Sequence, residues 1–485
     1  MHLNFFIFVI TYTFIIISVL GYGFAINNFS KKTYITKNIG YVGLLGIFFL
    51  TIYSYSSSIF YSHNIYHNLI FLLVGSFLFF KNINFFRFFF DKNFQLLILI
   101  FLVLIVGLFI FKTHDDFLYY HFQYSYYLTK QPVVLGIGNF GLGLRTPSSI
   151  FYLNSLFYLP IIKYYSFQIT PVLILGFSNL LLLIKIKNNI IEKKYNFLTV
   201  YNLLVFIFIN IFFYRISEHG TDRSAQILSF ILILEILIFF KKEQIFDSFL
   251  NKIFIIGSLI ISLKVFYLIY MILLIPIIYF VHKKKYFLKE IIKNKLLYLS
   301  ILFLFLMTSI NFFNSGCLAY PLPFSCFENF NWSVSLEEVQ RMKTHYENWS
   351  KAGATPNFSV DNYKEYISNF NWFADWLDRY FFNKVSDFLL GLLFLTIIFI
   401  FTFYSSKKKN NEKLNLKLLY TFLAILFLEW FYNHPTLRYG GYSLIAILIF
   451  IPLSVFLAKF YNDIKKSRSK VFFILFLTVS IFFYR

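Results

Sequence analysis

The sequence predicts an all-α, polytopic membrane protein with about 13–14 transmembrane spans. Of the 485 residues, 59% are hydrophobic and only 14% are charged, and the mean hydropathy is +0.68. Soluble domains carry about a quarter of charged residues, so a soluble fold is excluded. The hydrophobic residues also form separate runs near the length of about 20 residues that a helix needs to cross a bilayer.

Fourteen hydrophobic runs are candidate spans, and several of them are short. The first run lacks a basic segment before it and a small-residue cleavage site after it, so we expect a retained span rather than a signal peptide. The candidate spans are 4–24, 40–60, 66–80, 95–111, 170–184, 196–213, 226–240, 253–263, 265–281, 297–313, 387–404, 418–432, 441–458 and 471–484.

Lysine and arginine predict the orientation, because they concentrate in alternate loops. Short basic loops face the cytoplasm, so both termini and the other polar loops are expected outside. The basic loops hold most of the 44 basic residues, which accounts for the net charge of +22 without a nucleic-acid partner. They are 26–39, 81–94, 185–195, 241–252, 282–296, 406–417 and 459–470.

The polar stretch 112–147 follows the fourth candidate span and carries two adjacent acids, Asp115 and Asp116. One carboxylate can act as a general base or bind a metal while its neighbour orients it. The alternatives are two solvated loop acids or a helix N-cap. Tyr120 belongs to an aromatic row that suits a sugar or a lipid headgroup. Arg145, after a glycine-rich turn, is predicted either to hold a phosphate, to pair with the acids, or to act as a structural tether.

The next stretch, 148–168, is also hydrophobic. A crossing there would place the lysine-rich loop 185–195 outside. We therefore predict an interfacial or re-entrant helix instead of a further span, with Pro160 and Lys163 near its end.

A second group of ionisable residues lies between two spans on the predicted outer side, in the sequence RISEHGTDR. Glu218 and Asp222 are four residues apart, as are His219 and Arg223, so in a helix each pair shares a face. We interpret the acids as a second contribution to the same site. The alternative is a local ion-pair cluster around Arg215 and Arg223.

No cofactor is evident from the sequence, although a divalent metal is possible. The conceivable ligands are Asp116, Glu218 and His219, which combine two carboxylates with an imidazole. The sequence itself does not decide whether a metal is bound.

Two basic residues in unusual contexts are candidate ligands for an anion. Lys264 interrupts a long apolar stretch, and because both flanking loops are basic, two short helices are predicted to meet there on the outer side. Arg438 precedes a late span in HPTLRYGGY and can offer a planar fork to phosphate. The alternative for either residue is a side chain that snorkels to the interface.

The long outer loop 314–386 contains four tryptophans and is predicted to form a small helical cap. Cys317 and Cys326 flank its first segment, and we predict a disulfide between them because this side is expected to be oxidising. The predicted organisation is N-terminal spans in 1–94, a core in 95–313 with the acidic loop, the cap in 314–386, and C-terminal spans in 387–485.

Three sequence segments resemble the GT-C superfamily of membrane glycosyltransferases and uncharacterised bacterial membrane proteins assigned to it. They are HDDFLYYHFQYSYYL, LRTPSS and EHGTDRSAQIL. The resemblance covers roughly 95–460. It implies a GT-C-like fold with an extracytoplasmic acidic loop. In the superfamily the acidic pair follows the first span, whereas here it follows the fourth. The spans in residues 1–94 are therefore additional to the superfamily's arrangement.

The resemblance implies transfer of a sugar from a polyprenyl-phosphate donor to a lipid, glycan or protein acceptor outside the bacterial inner (plasma) membrane. Asp115 and Asp116 match the catalytic acids, Glu218 and Asp222 the second-loop acids, and Arg438 a phosphate contact. A glycan polymerase or ligase would rely more on outer-loop arginines. A transporter or flippase for lipid-linked glycans would place charges near the membrane midplane.

Overall fold

The computed structural model describes residues 5–29, 36–83, 91–109, 113–192, 196–241, 246–283, 288–355, 358–404, 416–459 and 464–484. Within these ranges the chain forms helices and no β-strand. Ten of the helical segments are long and apolar enough to cross a membrane. The prediction of an all-α polytopic membrane protein is therefore confirmed.

The α-helices follow one another in twenty segments of the described chain. They are α1 (Phe5–Phe29), α2 (Ile39–Phe60), α3 (Ile65–Asn82), α4 (Lys92–Leu108), α5 (Phe122–Leu128), α6 (Ser149–Phe157), α7 (Ile169–Ile191), α8 (Phe197–Ile211), α9 (Gly220–Phe240), α10 (Phe246–Leu263), α11 (Leu274–Lys283), α12 (Leu288–Ile292), α13 (Lys295–Ser315), α14 (Leu336–Lys351), α15 (Tyr363–Ile367), α16 (Phe373–Trp376), α17 (Ser386–Phe403), α18 (Lys417–Asn433), α19 (Gly441–Ala458) and α20 (Ile464–Tyr484).

Each of the fourteen predicted spans coincides with a helical segment, but four fall short of the ten long apolar ones. Helices α4 and α8 are apolar but shorter, and α18 has 17 residues. Helix α20 begins with the basic segment IKKSRSK. The total of 13–14 spans thus stays a prediction.

Parts of the predicted cytoplasmic loops lie outside the described residues. The basic residues concerned are Lys31, Lys32, Arg87, Lys193, Lys194, Lys242, Lys284, Lys285, Lys407, Lys408, Lys409 and Lys413.

The stretch 148–168 does not form one continuous helix. Ser148 caps helix α6 by accepting a hydrogen bond from the backbone N–H of Ile150. The nine residues of α6 rise only about 14 Å, which is too short for a span, and all nine are buried. A re-entrant position within the protein therefore fits, and a position on the membrane surface does not.

The N-terminal helices pack onto the rest of the bundle. Helix α1 contacts α2 and α3, and α2 in turn contacts α7 and α6. All three additional helices contact the core, because Tyr12 of α1 also donates to the carbonyl oxygen of Phe101 and Asn68 of α3 donates to that of Ser155.

Four irregular segments meet at one end of the bundle. One is a π-helical turn at Phe117–His121, and another is the start of α9. A third is Lys264, whose extended backbone separates α10 from a 3-10 helix at Val265–Leu273. The fourth is a 3-10 turn at Leu437–Tyr439 just before α19. The interruption predicted at Lys264 is present.

The cap is anchored to the segment that precedes α19. Trp376 donates its indole N–H to the carbonyl oxygen of Pro435 at 2.9 Å, and the hydroxyl of Tyr380 accepts from the backbone N–H of Leu437 at 2.9 Å. At the start of the cap, Cys317 and Cys326, the two cysteines expected to pair, form a disulfide. The cap is thus held against the irregular end of the bundle.

Candidate functional site

Arg438 bridges two carboxylates that are far apart in sequence. Its Nη2 donates to Oδ2 of Asp116 at 2.7 Å, and its Nε donates to Oδ2 of Asp222 at 2.9 Å. The side chain of Asp222 is only 3% exposed, whereas those of Asp116 and Arg438 are 28% and 31% exposed. The bridge is therefore buried on one side and open on the other.

Lys264 completes this cluster from a third segment. Its Nζ donates to Oδ1 of Asp222, on the opposite oxygen from Arg438. The same nitrogen lies 4.0 Å from the centroid of the Tyr439 ring, within the range of a cation–π interaction. Two cations and two carboxylates thus compensate each other at the irregular end of the bundle.

His114 lies between the two carboxylates and was not predicted from the sequence. Its Nδ1 accepts the backbone N–H of Asp116 at 3.1 Å, and its Nε2 lies 4.0 Å from Oδ2 of Asp222. Burial lowers the pKa of the His114 imidazole, and the nearby Arg438 lowers it further, so the ring is neutral at neutral pH. The signal in the sequence was its position directly before the acidic pair.

His121 stacks on His114 with a centroid separation of 5.2 Å. Gly220, at φ +48°, allows the start of α9 to approach both imidazole rings. A Cβ there would lie 3.2 Å from Cε1 of His121 and 3.4 Å from Cδ2 of His114. Burial lowers the pKa of His121 to about 3, and within the described residues its Nε2 has no hydrogen-bond partner.

One group of side chains can in principle hold a metal ion. Ligand atoms of His114, Asp116 and His121 all lie within 4.8 Å of one another. Imidazole and carboxylate suit Zn²⁺ and related divalent ions. However, Arg438 and Lys264 already neutralise the two carboxylates, so a cation would meet no uncompensated negative charge. The donor types fit a metal, but the charge balance does not favour one.

Glu218 and Arg223 form a separate ion-pair cluster with Arg215, which was the alternative predicted for this segment. Arg215 Nη1 and Arg223 Nη2 lie 3.2 and 3.4 Å from the two carboxylate oxygens of Glu218. His219 is fully buried, with Nε2 2.6 Å from the carbonyl oxygen of Phe213. The metal set that included Glu218 and His219 is therefore not assembled, and Asp222 is the residue of this segment that reaches Arg438.

Arg145 is a tether rather than a partner of the acidic pair. Its Nε donates to the carbonyl oxygen of Gly138 at 2.9 Å, and its Nη1 forms an ion pair of 2.7 Å with Glu338 in the cap. The same nitrogen donates to the hydroxyl of Tyr320 at 3.3 Å. Arg145 thus ties the glycine-rich turn to the cap, which was one of the predicted alternatives.

The two adjacent acids have different surroundings. Asp115 is exposed, and within the described part of the chain it forms no ion pair. Burial alone would raise the pKa of the Asp116 carboxyl, but the guanidinium of Arg438 beside it brings that pKa below its usual value. Asp116 is therefore ionised at neutral pH and is the member of the pair inside the cluster.

Aromatic rings from three parts of the chain border the cluster. Trp349 of the cap lies over Arg438, with the guanidinium carbon of Arg438 5.5 Å from the centroid of the Trp349 ring. The centroids of the Trp349 and Tyr439 rings are 5.7 Å apart. Tyr120 packs directly on Gly143, where a Cβ would lie 2.4 Å from that of Tyr120. These half-exposed rings give the open side of the cluster an apolar border, and the sequence did not identify Trp349 as part of it.

Gln226 holds the turn that carries Arg438. Its Nε2 donates to the carbonyl oxygens of Leu437 and Arg438 at 3.3 and 3.0 Å, and its Oε1 accepts from the backbone N–H of Ser443 at 3.2 Å. Gln226 lies four residues after Asp222 on α9, so both side chains share one face of that helix. Helix α9 therefore positions Arg438 twice: Asp222 holds the guanidinium of Arg438, and Gln226 holds its backbone carbonyl oxygen.

A family model described as "Domain of unknown function (DUF8201)" matches residues 5–445. No curated protein and no solved structure matches the chain.

Proposed function

The chain belongs to the DUF8201 family, and we propose that it is a GT-C-type membrane glycosyltransferase. It transfers a sugar from a polyprenyl-phosphate donor to a lipid, glycan or protein acceptor. The observation that carries the proposal is the half-open cluster in which Arg438 pairs with Asp116 and Asp222 while Lys264 pairs with Asp222. This arrangement offers two cations for a phosphate and a carboxylate for a proton in one place.

In the proposed reaction, Asp116 accepts the proton of the acceptor hydroxyl. The acceptor oxygen forms a bond with the anomeric carbon, and the bond from that carbon to the phosphate oxygen breaks. The electron pair of the broken bond stays on the polyprenyl phosphate. Arg438 and Lys264 stabilise this developing negative charge, and the proton remains on Asp116 until solvent removes it.

Donor binding also prepares the base in this scheme. In the described state Arg438 holds the pKa of Asp116 low, which favours the anion but weakens it as a proton acceptor. A phosphate that takes over the guanidinium of Arg438 removes part of this stabilisation, so the pKa of Asp116 rises toward the usual value. The base then becomes stronger when the donor is in place.

Asp222 has a positioning role in the proposal. It is almost fully buried and contacts both Arg438 and Lys264, so it fixes the spacing of the two cations before the donor arrives. Asp115, which is exposed, has the supporting role expected for the second acid of the pair.

The orientation belongs to the same proposal. Asp222 lies in the first turn of α9, whereas Lys185, near the end of α7 and on the predicted cytoplasmic side, pairs with Glu235 toward the other end of α9. By the bias of basic residues, the site would face the exterior or periplasm of a bacterial inner membrane.

The alternative functions fit less well with the side-chain contacts. A polymerase or ligase that relies on outer-loop arginines would need them directed at a substrate, yet Arg145, Arg215 and Arg223 form ion pairs with acids outside the cluster. A transporter would use a membrane acid such as Glu235, which is fully buried between two lysines. We therefore favour group transfer at the Arg438 cluster.

The test is turnover of a polyprenyl-phosphate sugar by the purified full-length protein in lipid nanodiscs. Asp116→Asn keeps the shape of the side chain but removes its basicity, so turnover should fall by about 10²–10⁴-fold. Binding of polyprenyl phosphate without a sugar should persist in this variant. Asp115→Asn is the matched control, with a smaller loss expected.

Near-normal turnover in Asp116→Asn would remove the proposed base. Absence of any sugar transfer by the wild-type protein across donors, combined with retained polyprenyl-phosphate binding, would instead point to a lipid-phosphate transporter.

A further inference from the structure

The surface beside the site exposes large apolar side chains in two segments outside the long apolar helices. Phe140 is 83% exposed and Phe324 is 87% exposed. Monomeric soluble surfaces rarely carry such groups together. The exposed members are Val134, Leu135, Phe140 and Leu142 of the loop 112–147, together with Leu318, Phe324, Phe327 and Phe330 of the cap. Because the loop residues adjoin the cap, we name the whole set the apolar face of the cap.

Backbone contacts join the two segments into one surface. The backbone N–H of Gly136 donates to the carbonyl oxygen of Phe313 at 2.7 Å. The Asn139 side chain donates to the carbonyl oxygen of Trp332 at 2.8 Å, and the Trp332 ring lies 4.7 Å from that of Phe330. The apolar side chains of both segments are thus held in a fixed arrangement.

The apolar face continues the exposed stripe of α13. The exposed apolar residues of this long apolar helix recur at helical spacing, at Tyr298, Ile301, Leu302 and Phe305. Two turns after Phe305 comes Phe312, whose ring lies 6.1 Å from that of Phe327 and 5.3 Å from that of Phe330. The exposed apolar side of α13 therefore leads, past Thr308 and Ser309, toward this face.

Charge separates this face from the remainder of the cap. Residues 131–144 contain no charged residue, and residues 317–334 contain one, Glu328. The carboxylate of Glu328 accepts the backbone N–H of Leu336 at the start of α14. Helix α14 itself, LEEVQRMKTHYENWSK, is strongly charged. The cap thus has one side suited to water and another suited to hydrocarbon.

We propose that the apolar face of the cap is inserted among the acyl chains of the leaflet on the side of the candidate site. Phe and Leu side chains on such a surface insert at the boundary between headgroups and acyl chains. Backbone hydrogen bonds from Leu318 to the carbonyl oxygen of Ser325, and from Phe327 to that of Gly316, satisfy part of the backbone here. The insertion keeps the cap, including Trp349, at the membrane surface beside Arg438. The proposal stands on the exposed surface alone and does not depend on the glycosyltransferase assignment.

Site-specific photocrosslinking tests this insertion in the full-length protein. Benzoylphenylalanine replaces Phe324 or Phe140, and the protein is irradiated in nanodiscs of phosphatidylethanolamine and phosphatidylglycerol. The control places the same group at Tyr363, which is also exposed but lies on the charged side of the cap. Intact mass spectrometry then counts lipid adducts.

We expect phospholipid adducts at positions 324 and 140, at least ten times more abundant than at position 363. Both replaced rings are exposed, so the substitutions do not disturb the core. Equal yields at 324 and 363, or no lipid adduct at 324, would overturn the proposal. Crosslinking of position 324 to a protein in native membranes, without lipid adducts, would overturn it in favour of a protein partner.

Discussion

Helix α9 carries a buried acid near each of its ends, and each acid pairs with two cations whose exposure to solvent differs between the two ends. Asp222, in the first turn, contacts Lys264 and Arg438. Glu235, about 20 Å further along the helix, has Lys185 and Lys252 at 3.0 Å each and accepts a hydrogen bond from Tyr41. Both clusters therefore combine one buried carboxylate with two cations and an aromatic ring.

The difference lies in what covers the cations. In the inner cluster, which we define as Tyr41, Lys185, Glu235 and Lys252, the lysines come from α7 and α10 and lie over the Tyr41 ring. In the outer cluster, which we define as His114, Asp116, Asp222, Lys264 and Arg438, the cations come from irregular segments and Arg438 is 31% exposed. Regular helices close one cluster, whereas interrupted helices leave the other open. Similar charges are thus structural in one place and available to a ligand in the other.

The largest effect is expected from the inner cluster and concerns stability. Glu235→Gln leaves two lysines without their shared anion inside the bundle, which should lower the free energy of unfolding by about 3–5 kcal/mol. Turnover per folded molecule should be unchanged. Thermal unfolding in detergent and turnover in nanodiscs measure the two quantities. A strong loss of turnover in folded Glu235→Gln would break the distinction between the clusters.

The same amide substitution in the outer cluster should act on turnover. Asp222→Asn releases Arg438 and Lys264 from their fixed spacing, and misplaced cations should cost about 10²–10³-fold in turnover. Stability should fall less than in Glu235→Gln because the released cations can reach water. Turnover of a polyprenyl-phosphate sugar in nanodiscs, as proposed for Asp116→Asn, measures the first effect, and thermal unfolding measures the second. A variant that is destabilised yet turns over normally would show the outer cluster to be structural as well.

A smaller effect is expected from the aromatic border. Trp349→Ala removes the ring over Arg438, which should raise KM for the polyprenyl-phosphate sugar by about three- to tenfold, the equivalent of one cation–π interaction, with little change in kcat. Trp349→Phe should restore most of the affinity. If Trp349→Phe were as impaired as Trp349→Ala, or if KM did not change, the ring would have no role in holding Arg438 for the donor.

The smallest effect is the acid response of Asp116. Because Arg438 holds the pKa of this carboxyl below its usual value, the ion pair contributes stability above the unfolded pKa of about 3.9, and that contribution is lost as the pH falls through the lower folded value. Since Asp116 is partly exposed, we expect less than about 1 kcal/mol. Unfolding midpoints at pH 7 and pH 3 should therefore differ more in the wild type than in Asp116→Asn; equal differences would contradict the prediction.

The sequence alone determined the features that depend on local composition. Hydrophobic runs define a helical membrane protein, because a span must satisfy its backbone hydrogen bonds within itself. The break at Lys264 followed from a charge in an apolar stretch between two basic loops. The disulfide followed from two nearby cysteines on the predicted outer side. Each of these inferences uses residues that are close together along the chain.

Only the tertiary structure decided which polar residues meet. Asp116 and Arg438 are 322 residues apart, and Asp222 and Arg438 are 216 apart, so their contact depends on how the helices pack. The same packing tied Arg145 to Glu338 and brought His114 and Trp349 to the cluster. A sequence shows that a charge needs a partner, but choosing among distant partners requires the geometry of the whole bundle.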